Sequence, residues 1–195
     1  KDKINELRQI VNEEKLDIEL YCGQEVYYRE NILEYYEEGA IGTINDSRYM
    51  LIELPMREFD VNNVIDNLYE LTLKGIVPII AHPERYIPFI KKPSLINDFI
   101  KEGYLFQLNA GSIVGDFGKE VKKLALNYLG NGVYYIFGSD AHSDERRNTH
   151  ISEDCLEILG NYKDEFIKNG QLILEDKEVK RKINLIRERK KLYGI

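Results

Sequence analysis

The sequence predicts an α/β fold in which short parallel strands alternate with helices. Short apolar runs recur along the chain, and between them lie stretches whose apolar residues are three and four positions apart. The short runs are typical of strands, whereas the wider spacing is typical of amphipathic helices. The runs are almost continuously apolar, which indicates a sheet covered on both faces. Strand and helix in alternation therefore indicate parallel β/α units.

The first predicted element is an amphipathic helix in the first fifteen residues, where Ile4, Leu7 and Ile10 share one face. Strands are predicted at residues 18–22, 49–54, 76–81, 104–108 and 133–137. Helices are predicted at residues 30–38, 60–74, 93–102 and 118–129, and two charged helical segments follow Thr149. Because the chain has no internal repeat, low-complexity tract or Gly/Ser linker, we expect a single domain over residues 1–195.

The composition excludes several classes of function. Hydrophobic residues make up 43% of the 195 residues and charged residues 31%, as in a globular protein with a core. The net charge of -7 argues against binding to nucleic acid. No run approaches the about 20 apolar residues of a membrane span, and the N-terminus lacks the apolar core of a signal peptide. We therefore expect a cytoplasmic protein with no membrane insertion.

The cysteines exclude a further chemistry. Cys22 and Cys155 are too few for a disulfide scaffold or a Cys-rich zinc module. Cysteine-dependent tyrosine phosphatases hold a thiolate nucleophile in a Cys-x5-Arg loop. Neither cysteine begins such a loop, because the sixth residue after each is Tyr28 or Asn161.

Polar residues with metal-binding side chains follow the predicted strands, at the ends where β/α proteins carry their chemistry. They are Glu25, Glu53, His82, Asn109, Asp140 and His142. Buried charges are costly unless they are paired or bound to metal, so packing explains such a set poorly. Carboxylates mixed with imidazoles suit Mn, Fe or Zn better than Mg or Ca. Two of the three histidines lie here, and the alternative interpretation of each is a hydrogen-bonded structural residue.

The spacing of Asp140 and His142 adds to the prediction of a metal site, because extended residues two apart project to the same face.

Three arginines are placed to bind an anion beside this site. Arg85 lies three positions beyond His82, and Arg146 and Arg147 lie six and seven positions beyond Asp140. The alternative for these arginines is a surface salt bridge. Other phosphate or hydrolase motifs fail, since there is no P-loop, G-x-S-x-G elbow or H-E-x-x-H helix.

Five segments together resemble the polymerase and histidinol phosphatase (PHP) superfamily. They are GQE (23–25), LIELP (51–55), AHPERY (81–86), QLNAGSIVG (107–115) and GSDAH (138–142). Within that superfamily they are most similar to the metal-dependent protein-tyrosine phosphatases encoded with bacterial capsule and exopolysaccharide genes. The order and spacing of all five segments make the resemblance specific, whereas AHPER alone would only be suggestive.

The resemblance implies a distorted β/α barrel that holds up to three metal ions, commonly manganese, which activate water to attack phosphotyrosine. It implies Glu25 as a bridging ligand, joined at one ion by Glu53 and His82. It further implies Asp140 at another ion and His142 at the third. For the phosphate it implies Arg85 and Arg147, with Arg146 as the alternative to Arg147. Asn109 and Ser112 would only shape the pocket.

One part of the family pattern has no match. These phosphatases begin with an H-x-H strand, followed by an aspartate and another histidine, and all of these bind metal. His150 lies near the other end of the chain and cannot replace them. The chain also opens inside a helix with no start signal before Lys1. We therefore expect that an N-terminal segment with the first β/α units precedes the numbered chain.

The leading hypothesis is thus a manganese-type protein-tyrosine phosphatase that acts on a tyrosine kinase of polysaccharide export. A small-molecule phosphatase such as histidinol phosphatase is the alternative within the same fold. A noncatalytic regulator that keeps the fold without metals is the alternative from another class.

Overall fold

The computed structural model describes residues 2–143, 145, 148–180 and 183–188. Its strands are β1 Glu25–Tyr27, β2 Tyr49–Glu53, β3 Val77–Ala81, β4 Leu105–Asn109 and β5 Ile136–Gly138. Its helices are α1 Asp2–Glu13, α2 Ile32–Glu37, α3 Val61–Leu73, α4 Ile87–Lys91, α5 Ile96–Lys101, α6 Ala110–Val114, α7 Lys119–Gly130, α8 Glu153–Leu159 and α9 Tyr162–Leu174. None of the helices in these ranges is long and apolar enough to cross a bilayer.

The five strands form one parallel sheet in the order β1-β2-β3-β4-β5, which confirms the α/β prediction. Ile79 of β3 pairs with Leu51 of β2 on one side and with Leu105 of β4 on the other. Crossovers between parallel strands are right-handed, so a sequential strand order winds the chain as in a β/α barrel. The expected closure is not found within the described ranges, where the sheet is open and β1 and β5 form its edges.

The core lies between the central strands and the helices that connect them. Ile52, Ile80 and Phe106 are fully buried in β2, β3 and β4. Helix α3 is representative of the covering layer, because its buried residues Val64, Leu68 and Leu71 recur at the predicted helical spacing. Asp60 caps this helix, since its side chain accepts hydrogen bonds from the backbone N–H groups of Asn62 and Asn63. The predicted helices at 30–38, 60–74, 93–102 and 118–129 are confirmed by α2, α3, α5 and α7.

The first predicted strand, residues 18–22, is wrong. This segment has no regular structure, and Ile18 and Tyr21 are exposed. Its carbonyls bind groups outside the sheet: Arg8 Nη2 donates to Leu20 O at 2.7 Å, and Asn45 N donates to Cys22 O at 2.6 Å. The strand begins later, at Glu25. Glu25 therefore opens β1 and does not follow a strand.

The second charged segment after Thr149, residues 178–194, is also not the predicted helix in its described residues, 178–180 and 183–188. Its apolar residues Val179 and Ile186 are buried while the backbone binds other elements. The Asn97 side chain of α5 donates to Ile186 O and accepts from Ile186 N, both at 2.9 Å. Hydrogen bonds from the Ile186 backbone to a side chain of another element therefore take the place of the backbone hydrogen bonds within a helix. The rest of the predicted helix, residues 181–182 and 189–194, lies outside the described residues.

The chain just after α9 is fastened to the start of β2. The Arg48 side chain and Asp176 form an ion pair with a distance of 2.9 Å between Nε and Oδ1. The Tyr49 hydroxyl donates to Lys177 O at 2.7 Å and accepts from Val179 N at 3.2 Å. This join connects residues that are about 130 positions apart in the sequence.

We expect Asn97→Ala to lower the free energy of unfolding by about 1–2 kcal/mol, because two hydrogen bonds to the backbone of Ile186 are lost. Urea unfolding measures the change. Asp98→Ala on the same helix is the control, since Asp98 forms an ion pair with Lys101 in which both side chains are exposed, and its loss should cost under ~0.5 kcal/mol. Equal effects of the two substitutions would contradict this account of the segment.

Candidate metal centre

His82 follows β3 and is the buried centre of the candidate site. Its side chain is only 2% exposed, and Nε2 lies 3.2 Å from Glu25 Oε1 and 3.5 Å from Glu53 Oε1. The backbone of His82 is left-handed, with φ 30° and ψ 57°, a conformation that is costly for a residue with a side chain. This turn ends β3 at the point where the imidazole meets the two carboxylates.

Strand register explains why the two carboxylates meet. Glu25 pairs with Leu51, and Glu53 lies two residues beyond Leu51 on β2. Paired residues on neighbouring strands and residues two apart on one strand face the same side of a sheet. Glu25 and Glu53 therefore share a face although one opens its strand and the other ends it. The nearest side-chain atoms of this pair and of His82 are within 4.8 Å of one another.

The donor set of Glu25, Glu53 and His82 fits a divalent metal ion. Two carboxylates this close repel each other unless a positive charge lies between them. A hydrogen bond with His82 is the main reason why the pKa of Glu25 is lowered, so that its carboxyl group stays ionised. The other imidazole nitrogen, Nδ1, has no hydrogen-bond partner among the described residues. The polar contacts of the ring are thus concentrated at Nε2, and mixed oxygen and nitrogen donors suit a transition metal.

A second group of donors shares Glu25 with the first. Atoms of Glu25, Asp140 and His142 lie within 4.8 Å of one another. Asp140 Oδ2 accepts from Arg85 Nη1 and from Asn109 Nδ2, each at 2.8 Å, and His142 Nδ1 lies 3.3 Å from Asp140 Oδ1. The structure therefore brings all five predicted metal-binding residues together, in two groups joined at Glu25.

The prediction that Asp140 and His142 are extended residues projecting to one face is wrong, however. Asp140 is not extended, because its φ is 53°, in the left-handed region. The two residues follow β5 in a segment without regular structure, and the His142 side chain is 57% exposed. Asp140 is held in place by the hydrogen bonds that it accepts from Arg85 and Asn109. The alternation of side chains along a strand does not explain its position.

Of the predicted arginines, Arg85 lies beside the site and the other two are not described. Arg85 is held by Asp140, and its guanidinium carbon lies 4.4 Å from the centre of the Phe117 ring, a cation–π contact. Arg146 and Arg147 lie outside the described residues. Asn109, expected only to shape the pocket, binds Asp140 directly, while Ser112 is buried.

Glu84 is a residue of the site that the sequence analysis missed. Its carboxylate is fully buried and accepts hydrogen bonds from Asn109 N at 3.1 Å and from the Tyr134 hydroxyl at 2.9 Å. Burial raises its pKa. Glu84 thus connects the turn after β3 to Asn109, which in turn holds Asp140. In the sequence, only its position within AHPER pointed to a role for Glu84. Its hydrogen-bond partners are 25 and 50 residues away, so no local pattern connects them with it.

Tyr86 closes the same turn and was also missed. It is fully buried; its hydroxyl donates to Ala81 O at 2.8 Å and accepts from Leu54 N at 2.9 Å. These two backbone groups lie at the ends of β3 and β2. The hydroxyl therefore fixes the spacing of the strand ends that carry His82 and Glu53.

Neither cysteine has the surroundings of a nucleophile. Cys155 is buried in α8, its thiol points to Ala110 O at 3.6 Å, and burial raises its pKa to about 11. Cys22 is half-buried in the irregular segment before β1. It is therefore not the residue of an apolar strand that the sequence suggested.

The fold and the site define the class of protein first: an α/β protein with a candidate metal centre at the carboxyl edge of a parallel sheet. More narrowly, the chain belongs to the CpsB/CapC family of capsular polysaccharide synthesis, whose sequence profile matches residues 1–176. The family resemblance found in the five sequence segments is thus confirmed.

Individual relatives agree with this membership. CapC of Staphylococcus aureus is 34% identical over 189 residues, which are 94% of this chain and 73% of that protein. The tyrosine-protein phosphatase YwqE of Bacillus subtilis is 29% identical over 200 residues, covering 100% of this chain and 78% of YwqE.

The fold is also that of a solved structure in the family. Crystal structures of YwqE and of CpsB from Streptococcus pneumoniae, described as unique metal-dependent tyrosine phosphatases, give a match with a TM-score of 0.88. The sequence identity is 26%, and the match covers 96% of this chain and 77% of the solved chain.

We expect Cys155 to react with iodoacetamide at pH 8 at least ~10-fold more slowly than the more exposed Cys22, because Cys155 is buried and burial raises the pKa of its thiol to about 11, which leaves little thiolate at that pH. The rate for Cys155 should keep rising as the pH approaches 11. Mass spectrometry of the two cysteine peptides over time measures both rates. Similar rates at pH 8 would contradict the buried environment of Cys155.

Proposed function

We propose that this chain is a metal-dependent protein-tyrosine phosphatase that acts in capsular or extracellular polysaccharide synthesis. The observation that carries the proposal is the cluster of Glu25, Glu53 and His82 at the carboxyl edge of the sheet, in a chain of the CpsB/CapC family. The relatives YwqE and CpsB are named tyrosine-protein phosphatases, which supports the same substrate class here.

Each side chain has a proposed role. Glu25, Glu53 and His82 would hold one ion, Asp140 would help to hold a second and His142 a third, with Glu25 close to all of them. Manganese is the first candidate, and iron or zinc are the alternatives. When bound, such ions supply a nucleophile from water at neutral pH and neutralise charge on the phosphate. Arg85 would bind the phosphate, because a guanidinium has five N–H donors and Asp140 engages only one of its two terminal nitrogens here. Arg147 would be its partner, with Arg146 as the alternative.

The proposed protein substrate is a tyrosine kinase of polysaccharide export in the cytoplasm. A metal centre beside a phosphate-binding arginine would not by itself distinguish one phosphomonoester from another, since it contacts only the phosphate group. The side chain that carries the phosphate must therefore be recognised separately.

A direct test compares three substrates with the metal-loaded full-length protein: a phosphotyrosyl peptide, the matched phosphoseryl peptide and histidinol phosphate. We expect rapid phosphate release from the phosphotyrosyl peptide alone, and its loss in a strong chelator with recovery on adding manganese. Cys22→Ser/Cys155→Ser should keep this activity, measured per folded molecule. Preference for histidinol phosphate would support the small-molecule alternative. Absence of both metal and turnover after metal-supplemented purification would support the noncatalytic regulator.

We expect Glu53→Gln to lower kcat/KM for the phosphotyrosyl peptide at least ~100-fold, because the amide keeps the shape of the side chain but loses the charge that would hold the metal. Metal content by mass spectrometry should fall in the same variant. Glu70→Gln is the matched control, since Glu70 is exposed on α3 and should change neither quantity. Near-normal turnover with normal metal content in Glu53→Gln would remove Glu53 from the site.

A further inference from the structure

A cavity of about 420 Å³ lies next to the candidate metal centre. Asn109 and Ser139 form part of its wall, and both are immediate neighbours of Asp140: Asn109 through a hydrogen bond, and Ser139 as the preceding residue. Phe117, Val114 and Ile151 supply apolar surface to the same cavity. Asp116, Asn148, His150 and Ser152 also line it, so the cavity offers both polar and apolar surface beside the metal centre. Such a mixed lining suits a ligand that has a charged head and an apolar body.

Phe117 is brought into this cavity by a turn that folds back on α6. The turn passes through Gly115 and Gly118, whose φ angles of 109° and 94° are in the range that favours glycine. It packs on Gly111 so closely that a Cβ there would lie 2.6 Å from Asp116 Oδ2 and 3.2 Å from Phe117 Cε2. The backbone therefore allows the aromatic ring to lie against the start of α6.

The position of the ring relative to Arg85 gives the turn a functional meaning. Phe117 is only half-buried, and one face of its ring is covered by the Arg85 guanidinium at 4.4 Å. Arg85 at the same time donates to Asp140 at 2.8 Å. Phe117 thus connects the wall of the cavity to the proposed phosphate-binding group, which in turn contacts a candidate metal ligand.

We propose that this cavity binds the aromatic ring of an aryl phosphate and that Phe117 is the wall against which that ring packs. The inference rests on the proposed function and adds recognition of the aromatic ring, which the phosphate site does not contact. Aromatic rings prefer edge-to-face or offset contacts with one another, so a phenyl ester gains a contact here that an alkyl ester lacks. Phe117 is therefore a specificity-determining residue for phosphotyrosine.

A role limited to holding Arg85 is the competing explanation for the same contact. Loss of the cation–π contact would weaken every phosphate ester alike, because only the shared phosphate group meets Arg85. Loss of an aromatic wall would weaken only ligands that carry a ring. Two ligands with the same charged head, phenylphosphonate and methylphosphonate, separate the two explanations without any turnover.

The test measures the Kd of both phosphonates for the manganese-loaded full-length protein by calorimetry. We expect Phe117→Leu to weaken phenylphosphonate about ten-fold and methylphosphonate less than about two-fold. Phe117→Tyr should bind both ligands as the unchanged protein does. Tyr69→Leu, which removes an exposed ring on α3, should likewise leave both affinities unchanged. Phe117→Met provides a second variant if Phe117→Leu does not fold, with the same expected pattern.

Equal weakening of both phosphonates would overturn the proposal and leave Phe117 as a residue that positions Arg85. Unchanged affinity for phenylphosphonate in both Phe117→Leu and Phe117→Met would overturn it as well. These outcomes differ from failure of the proposed function, in which neither phosphonate binds the metal-loaded protein and the phosphotyrosyl peptide is not hydrolysed.

Discussion

The buried carboxylate of Glu84 is the constraint around which the candidate site is arranged. A carboxylate out of water needs hydrogen-bond donors, and Asn109 and Tyr134 provide them from β4 and from the chain just before β5. The turn that carries Glu84, residues 81–86, also reaches the remaining strands. His82 meets Glu25 and Glu53 of β1 and β2. A single turn after the central strand thus contacts every other strand or its immediate flank.

This arrangement explains where the backbone is least favourable. His82 and Asp140 both have left-handed φ angles, and each is a candidate metal ligand. Such conformations persist when the surrounding contacts determine them. Around His82 those contacts are two carboxylates and the turn closed by Tyr86; around Asp140 they are Arg85 and Asn109. Two of the left-handed non-glycine residues therefore lie at the candidate site, each held there by polar contacts.

The sequence predicted most of the fold because local patterns determine it. Four of five strands and the connecting helices follow from apolar runs and helical spacing, whereas residues 18–22 have the composition of a strand but no place in the ladder. Glu53, His82, Asp140 and His142 could be chosen because chemistry concentrates at strand ends, whereas Glu25 was chosen after a strand that does not form and in fact opens β1. Glu84 and Phe117 could not be assigned, since their roles depend on partners far away in the sequence, such as Tyr134 and Arg85. Whether the sheet is open or closed could likewise not be predicted, because no local sequence pattern distinguishes the two.

The join between β2 and the chain after α9 has a consequence for synthesis on the ribosome. Arg48 and Tyr49 are made 128 residues before their partners Asp176 and Lys177. The start of β2 therefore remains incompletely bonded until almost the whole described chain has been translated. Contacts of this sequence separation slow folding. A nascent chain that stalls before residue 176 would hold the start of β2 only by its pairing with β3, so the segment after α9 completes this part of the sheet at the end of synthesis.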